Sequence, residues 1–448
     1  MRNRNSRFVK KFGIFSQYIL PISLVLVISI SLTFTWLIWT NPAHFNKNAN
    51  QNTTSAGPTE LSARALTDIY SPTQIIHTDS KQNQKLLFDQ KINVINEVVK
   101  DVKNWHFNKL KPLKKVTAKL YAETLNQKDT LILNYPDSIA GGMINDIFTQ
   151  HLTIDSNVQF NRIVIPLGSQ LDKIYLLNDD NFAIYEISVS ESSRTQIMHI
   201  IKSVKTVIPV VEQLYHQHVL LTYPEAVSLK QYSYLQNKQS QHLFLTALFN
   251  NGTNGDFKTR KTLETTTYEE GNNRRVVFDN KTGAVDYQSF NGTKTSANLN
   301  NTLRQGFNDL LSIGVPLDNT RYFETNDAEN SFVYRTYVEG FPIFNQTRYG
   351  TVKLSYENPG TEHATFSQYA LQVPLPNNQP GIKLEATPTV IQQLATVGIG
   401  IDRVEDMQIG YEWQTDPSSD MVVNLRPVWY LEINNKWQRL DQWLQKEG

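Results

Sequence analysis

The 448-residue chain is 40% hydrophobic, with 43 Lys and Arg against 42 Asp and Glu and no cysteine. That length and apolar content suffice for the cores of roughly two to three domains, while the missing thiols exclude disulfides, thiolate catalysts and thiolate metal sites. The formal charge of +1 hides an asymmetry: residues 1–47 carry six basic and no acidic side chains, leaving 37 basic against 42 acidic beyond them, with no electrostatic footprint for nucleic acid.

Ile19–Trp39 (ILPISLVLVISISLTFTWLIW) is a run of 21 apolar and hydroxyl residues, and no charge falls between Lys11 and Lys47. A helix of that length spans about 31 Å, the thickness of a bilayer's hydrocarbon core. Arg2, Arg4, Arg7, Lys10 and Lys11 precede it and no acid appears before Glu60, so the basic tail is expected inside the cell and everything after the span outside. Arg7, Lys10 and Lys11 would mark the inner interface, and Trp36 and Trp39 the outer. The competing reading is a cleaved signal peptide, but the apolar run is too long and TNPAHFNKNAN offers no small-x-small cleavage site. Ser29 and Thr33, Ser31 and Thr35 form two small-residue rows, with Ser23 further in. Such rows are what helices use to meet in a bilayer, although hydroxyls also bond to their own helix carbonyls.

Residues 40–60 are Asn-, Thr-, Pro- and Gly-rich and read as a tether. An α+β domain is expected over 61–215. Phe88, Ile92, Ile95, Val99 and Val102 give the spacing of an amphipathic helix. Leu131–Tyr135, Arg162–Leu167, Lys173–Leu177 and Phe182–Val189 read as strands. A further apolar-periodic segment, Ile197, Ile200, Val204, Val207 and Val211, is interrupted by Pro209. Over 216–372 a middle α+β domain is expected, with Leu243–Phe249 and Arg274–Phe278 read as strands ending in turn signals, and Asn300–Ile313 as a helix stopped by Gly314.

A C-terminal α+β module is expected over 373–448. Leu310–Asp318 lines up with Leu394–Asp402 at an offset of 84, and Phe341-Pro342-Ile343-Phe344 with Arg426-Pro427-Val428-Trp429 at an offset of 85, which suggests two units in tandem. Val422–Ile433, the Asn434-Asn435 turn and Lys436–Leu440 read as a hairpin. Trp413, Trp429, Trp437 and Trp443 fit core filling, with a protein-docking face as the alternative.

Signatures of enzymes are missing: there is no GxSxG, HExxH, Walker loop or GxGxxG. His216-x-His218 follows a helical-looking run without a third ligand at metal spacing, so no metal or cofactor is expected. Asp179-Asp180 and Glu269-Glu270 read as solvated loop acids. A glycosidase-like pair of separated carboxylates would leave no local mark.

The order of features resembles the YycH family: the span ending in Trp36-Leu37-Ile38-Trp39-Thr40-Asn41-Pro42, then Leu221-Thr222-Tyr223-Pro224, the run Tyr268–Tyr287, and Arg426-Pro427-Val428-Trp429-Tyr430 ahead of Asn434-Asn435-Lys436-Trp437. The resemblance covers essentially the full chain. It implies a Gram-positive, membrane-anchored, non-enzymatic regulator that acts with the sister protein YycI on the sensor histidine kinase (YycG/WalK) of the YycFG/WalRK system, which controls cell-wall metabolism. It also implies that transmembrane helices take part in that contact and that the C-terminal modules are similar to YycI. It supplies no catalytic or ligand residues, and a ligand- or cell-wall-binding ectodomain is the alternative.

Overall fold

Leu131–Leu133 is apolar at every position because its strand is covered on both faces. In the computed structural model, which describes residues 31, 64–88, 93–168, 172–190, 192–249, 257–290, 298–326, 328–345, 349–357, 360–377 and 379–445, Thr130–Ala140 runs through the middle of a nine-stranded sheet. Leu131, Leu133 and Tyr135 enter one core and Ile132 the other, so alternation is lost. The strand order is His106–Pro112, Ala183–Ser190, Lys173–Asn178, Gln159–Pro166, Thr130–Ala140, Gln74–Thr78, Gln84–Phe88, Thr206–Tyr215 and His218–Thr222, every pair antiparallel.

One core receives the helices Val94–Val102, Met143–Ile147 and Arg194–Ser203 and continues into Gln241–Leu248 and Leu299–Ser312. The other packs Tyr121 and Leu125, from the helix Ala118–Leu125, with Val390, Leu394, Trp413 and Trp429 near the C-terminus. Both cores are therefore shared between the nine-stranded sheet and the chain that follows, within one unit spanning Leu61–Gly448.

The second large sheet begins with a meander of Phe257–Lys261, Thr265–Glu270, Arg274–Asp279 and Ala284–Ser289. It passes through Thr361–Ser367, Thr351–Glu357, Ser331–Val338 and Phe341–Phe344 to the long hairpin Asp406–Asp416 and Ser419–Glu432, then to Tyr232–Lys238 and Tyr369–Leu375. The fold is a mixture of helices and strands, as expected.

Several local expectations change. Leu243–Phe249 is helical, not a strand: Ser240 caps the helix Gln241–Leu248 by accepting from the Leu243 N–H, and Phe244, Leu245 and Leu248 bury one stripe. The helix read from Phe88 starts only at Val94, capped by Asn93, while Phe88 ends a strand. The periodic run Ile197–Val211 divides into the helix Arg194–Ser203 and the strand Thr206–Tyr215. Pro209 is tolerated there because the strand's second neighbour pairs only from Val211 onward. His216 and Gln217 form a hairpin turn instead of following a helix.

The helices Leu299–Ser312 and Thr387–Thr396 both run out at a glycine in the left-handed region, Gly314 at φ +79° and Gly398 at +77°, and each is followed by an antiparallel hairpin. Their proline strands are not equivalent. Pro342 lies on a strand parallel to Asp406–Asp416, and Pro427 on the antiparallel strand at the other side of that same partner.

Residues 1–60 form a separate unit, of which only Ser31 is described, helical and exposed. The remainder of the expected span Ile19–Trp39 lies outside the described residues, and among those no helix is long and apolar enough to cross a membrane.

Candidate functional site: an acidic cleft

At Asn134 the pairing between Thr130–Ala140 and Gln159–Pro166 breaks, resuming at Ile139. The bulged Pro136 and Asp137 leave the ladder there and border a cleft of about 460 Å³, closed on its other side by Phe323–Thr325, Glu405–Gln408 and the Glu432–Trp437 turn. Bulges next to a recess commonly re-aim side chains in this way.

The floor is a polar network laid on the nine-stranded sheet. Arg162, opposite Asn134 in the register, donates to Asp179 through Nε and Nη2 (2.9 and 2.7 Å) and pairs through Nη1 with Glu212. Asn134 Nδ2 donates to the same Glu212 oxygen (2.7 Å), and the Tyr121 hydroxyl donates to Asp179. The Glu212 side chain is fully enclosed, and burial holds its carboxyl above the ordinary value despite Arg162. Two acceptors in this floor, Asn134 Oδ1 and Glu212 Oε2, have no partner.

The rim is acidic. Asp137 accepts from the Thr325 N–H (2.7 Å) and the Tyr322 hydroxyl (3.1 Å), and burial pushes its carboxyl up to about 7. Asp406 is pushed up to about 6, chiefly by burial and against bonds from Gln408 and the Met407 N–H. Glu432 reaches about 9, through burial and then the fields of Glu324, Asp406, Glu405 and Asp137. Glu324 is raised by burial and accepts from Trp437 Nε1 (2.7 Å). Among the described residues lining the cleft Arg162 is the one Arg or Lys, and it is already committed to two carboxylates. Such a recess can hold protons near neutrality and attract donors or cations. No group of three His, Asp or Glu among the described residues is arranged to hold a metal ion.

The sequence-derived sites fall elsewhere. Ser23, Ser29, Thr33, Thr35, Arg7, Lys10, Lys11, Trp36 and Trp39 lie outside the described residues, and Ser31 is exposed on a helix. Asp179 and Asp180 sit in a turn, as expected, but only Asp180 is exposed there, accepting from Ser138 Oγ (2.9 Å), while Asp179 is largely enclosed and paired with Arg162. Glu269 and Glu270 face Arg275 and Arg274 across a strand pair. His218 reaches the cleft while His216 does not line it. Asp137, Glu324, Asp406 and Glu432 carried no local signal, because each comes from a different element. The one available hint was Pro136, an unlikely residue inside a central strand.

Models of the YycH protein N-terminal domain and C-terminal domain match residues 19–206 and 216–448. The chain belongs to the YycH family. A relative in Bacillus subtilis (strain 168), the two-component system WalR/WalK regulatory protein YycH, is 21% identical over 472 residues, covering 96% of this chain and 98% of the relative. The crystal structure of YycH from Bacillus subtilis superposes with a TM-score of 0.67 at 16% identity, covering 84% of this chain and 97% of that one. The family match confirms the resemblance read from the ordered landmarks, and the superposition supports the fold.

Proposed function

We propose that this chain is a membrane-anchored, non-enzymatic regulator of the two-component system governing cell-wall metabolism. In this reading a single N-terminal helix holds it in the cell membrane with residues 40–448 outside. It acts with a YycI-like protein on the YycG/WalK sensor kinase through helix contacts at Ser23, Ser29, Ser31, Thr33 and Thr35 and through its extracytoplasmic part. The observation that carries the reading is the family match over nearly the whole chain, together with the name of the Bacillus relative. Replacing Ile19–Trp39 by an unrelated apolar helix of equal length should keep the protein in the membrane and abolish its effect on kinase-dependent transcription. Normal regulation by the swapped protein would refute the helix-contact mechanism.

One observation favours a second reading, a tethered cell-wall hydrolase: Asp137 and Glu432, whose carboxyls burial pushes up to about 7 and about 9, line a cleft of sugar-accommodating size, as a general acid requires. The regulatory reading expects no turnover of peptidoglycan fragments by the purified chain. Turnover abolished by Glu432→Gln would put the hydrolase in its place.

A further inference from the structure

A second cavity, about 430 Å³, opens beside the C-terminal hairpin and differs from the acidic cleft in its more aromatic lining. Its walls are aromatic: Phe344 stacks on Tyr430 (centroids 3.9 Å apart), Tyr349 stacks on Trp413 (5.3 Å), and Trp437 lies against Phe344. Arg335 reaches it from the strand Ser331–Val338, with its guanidinium 4.4 Å from the Phe323 ring centroid and 4.1 Å from that of Phe344.

Arg335 is only 8% exposed, yet no described carboxylate lies within ion-pair distance of it. Its Nη1 donates to Thr351 Oγ1 (3.0 Å) and, at 3.5 Å, to the Ile343 carbonyl, while Nε has no acceptor at all. The field of Glu324 reaches it, but burial disfavours that carboxyl's charge and its oxygen is taken by Trp437. Trp413, which also lines the cavity, carries a second enclosed donor without an acceptor, Nε1. Arg439 at the edge is engaged by Glu412 and Asp441 and adds no free charge. Buried N–H groups are almost always satisfied, and a buried cation is ordinarily paired, so two orphaned donors on one aromatic cavity describe half of an interaction.

We propose that this cavity binds a small organic anion, its carboxylate accepting from Arg335 and Trp413 Nε1 and its flat apolar body lying among the aromatic rings. The volume lies within the range of small-molecule sites, and a few convergent polar groups in an aromatic wall are their usual make-up. The planar guanidinium, lying against the Phe323 and Phe344 rings, suits a carboxylate better than a point charge would. The inference goes beyond the regulatory reading and stands independently of it, since none of its residues belongs to the membrane span.

The test uses the full chain in lipid nanodiscs and naphthalene-2-carboxylate as probe, titrated calorimetrically with empty nanodiscs subtracted. Saturable one-to-one binding is expected, with the neutral isostere naphthalene-2-carboxamide bound about tenfold more weakly or worse. Arg335→Gln should abolish binding, and Trp413→Phe, which removes one donor and keeps an aromatic ring, should weaken it by about threefold or more. Should Arg335→Gln fail to fold, the carboxamide comparison and Trp413→Phe still decide the matter. Absence of saturable binding, equal affinity for the carboxamide, or full affinity in a folded Trp413→Phe variant would each overturn the proposal.

Discussion

Removing Arg162 tests whether the floor of the acidic cleft is a paired network or a set of incidental contacts. Arg162→Met keeps the stem of the side chain, which is 9% exposed, and takes away the charge that two carboxylates share. Asp179 retains the Tyr121 hydroxyl and some solvent, but Glu212 is left with Asn134 Nδ2 as its one side-chain donor and no water contact. Breaking a buried ion pair from one side costs about 3–5 kcal/mol, more than the loss of an exposed bridge by severalfold. The pair itself need not be strongly stabilising, because desolvation offsets much of its attraction. Arg162→Met combined with Glu212→Gln should therefore recover a large part of the loss. The sign of the pH dependence follows from the raised Glu212 carboxyl, which binds a proton more readily folded than unfolded. Without Arg162 that preference grows, so the deficit should widen as pH rises from about 4.5 and shrink in acid. Denaturant unfolding of residues 61–448 at several pH values measures it. A loss under about 1 kcal/mol, or a double variant no more stable than the sum of the singles, would refute the reasoning.

The raised carboxyls of the rim make a related statement: their contribution to stability is fully present below the unfolded value near 4 and is lost as pH rises to about 6 for Asp406 and about 7 for Asp137. Asp137→Asn should flatten the fall in melting temperature across that window, and an unchanged slope would count against a protonated Asp137. Gly306 sits inside the helix Leu299–Ser312, where Ala would normally be better by about 1 kcal/mol, yet an added Cβ would meet the Tyr334 hydroxyl at 2.6 Å. That hydroxyl bonds Tyr70, whose own hydroxyl donates to the Leu303 carbonyl, so Gly306→Ala should destabilise by about 1–3 kcal/mol and a stabilised variant would contradict the close packing.

What the sequence determined by itself rests on local physics. Gly314 stops the helix read over Asn300–Ile313, because glycine tolerates positive φ, whereas the cap at Asn298, whose side chain accepts the Asn300 N–H, is seen only in the structure. The strands from Leu131 to Val189 were legible because β-branched and aromatic residues cluster there. The family was legible because short motifs kept their order over the whole length. Tertiary structure decided the rest. Leu243–Phe249 is apolar enough for a buried strand or a buried helix, and only its packing against Phe278 and Phe366 selects the helix. The acidic cleft joins Asn134, Asp137, Arg162, Asp179, Glu324, Asp406 and Glu432, up to 298 positions apart in the chain. The aromatic cavity likewise closes Arg335 against Trp413. Neither has a spacing to read, since sheet register and shared cores bring these residues together, and burial, the property that shifts their charges, does not exist until the chain has folded.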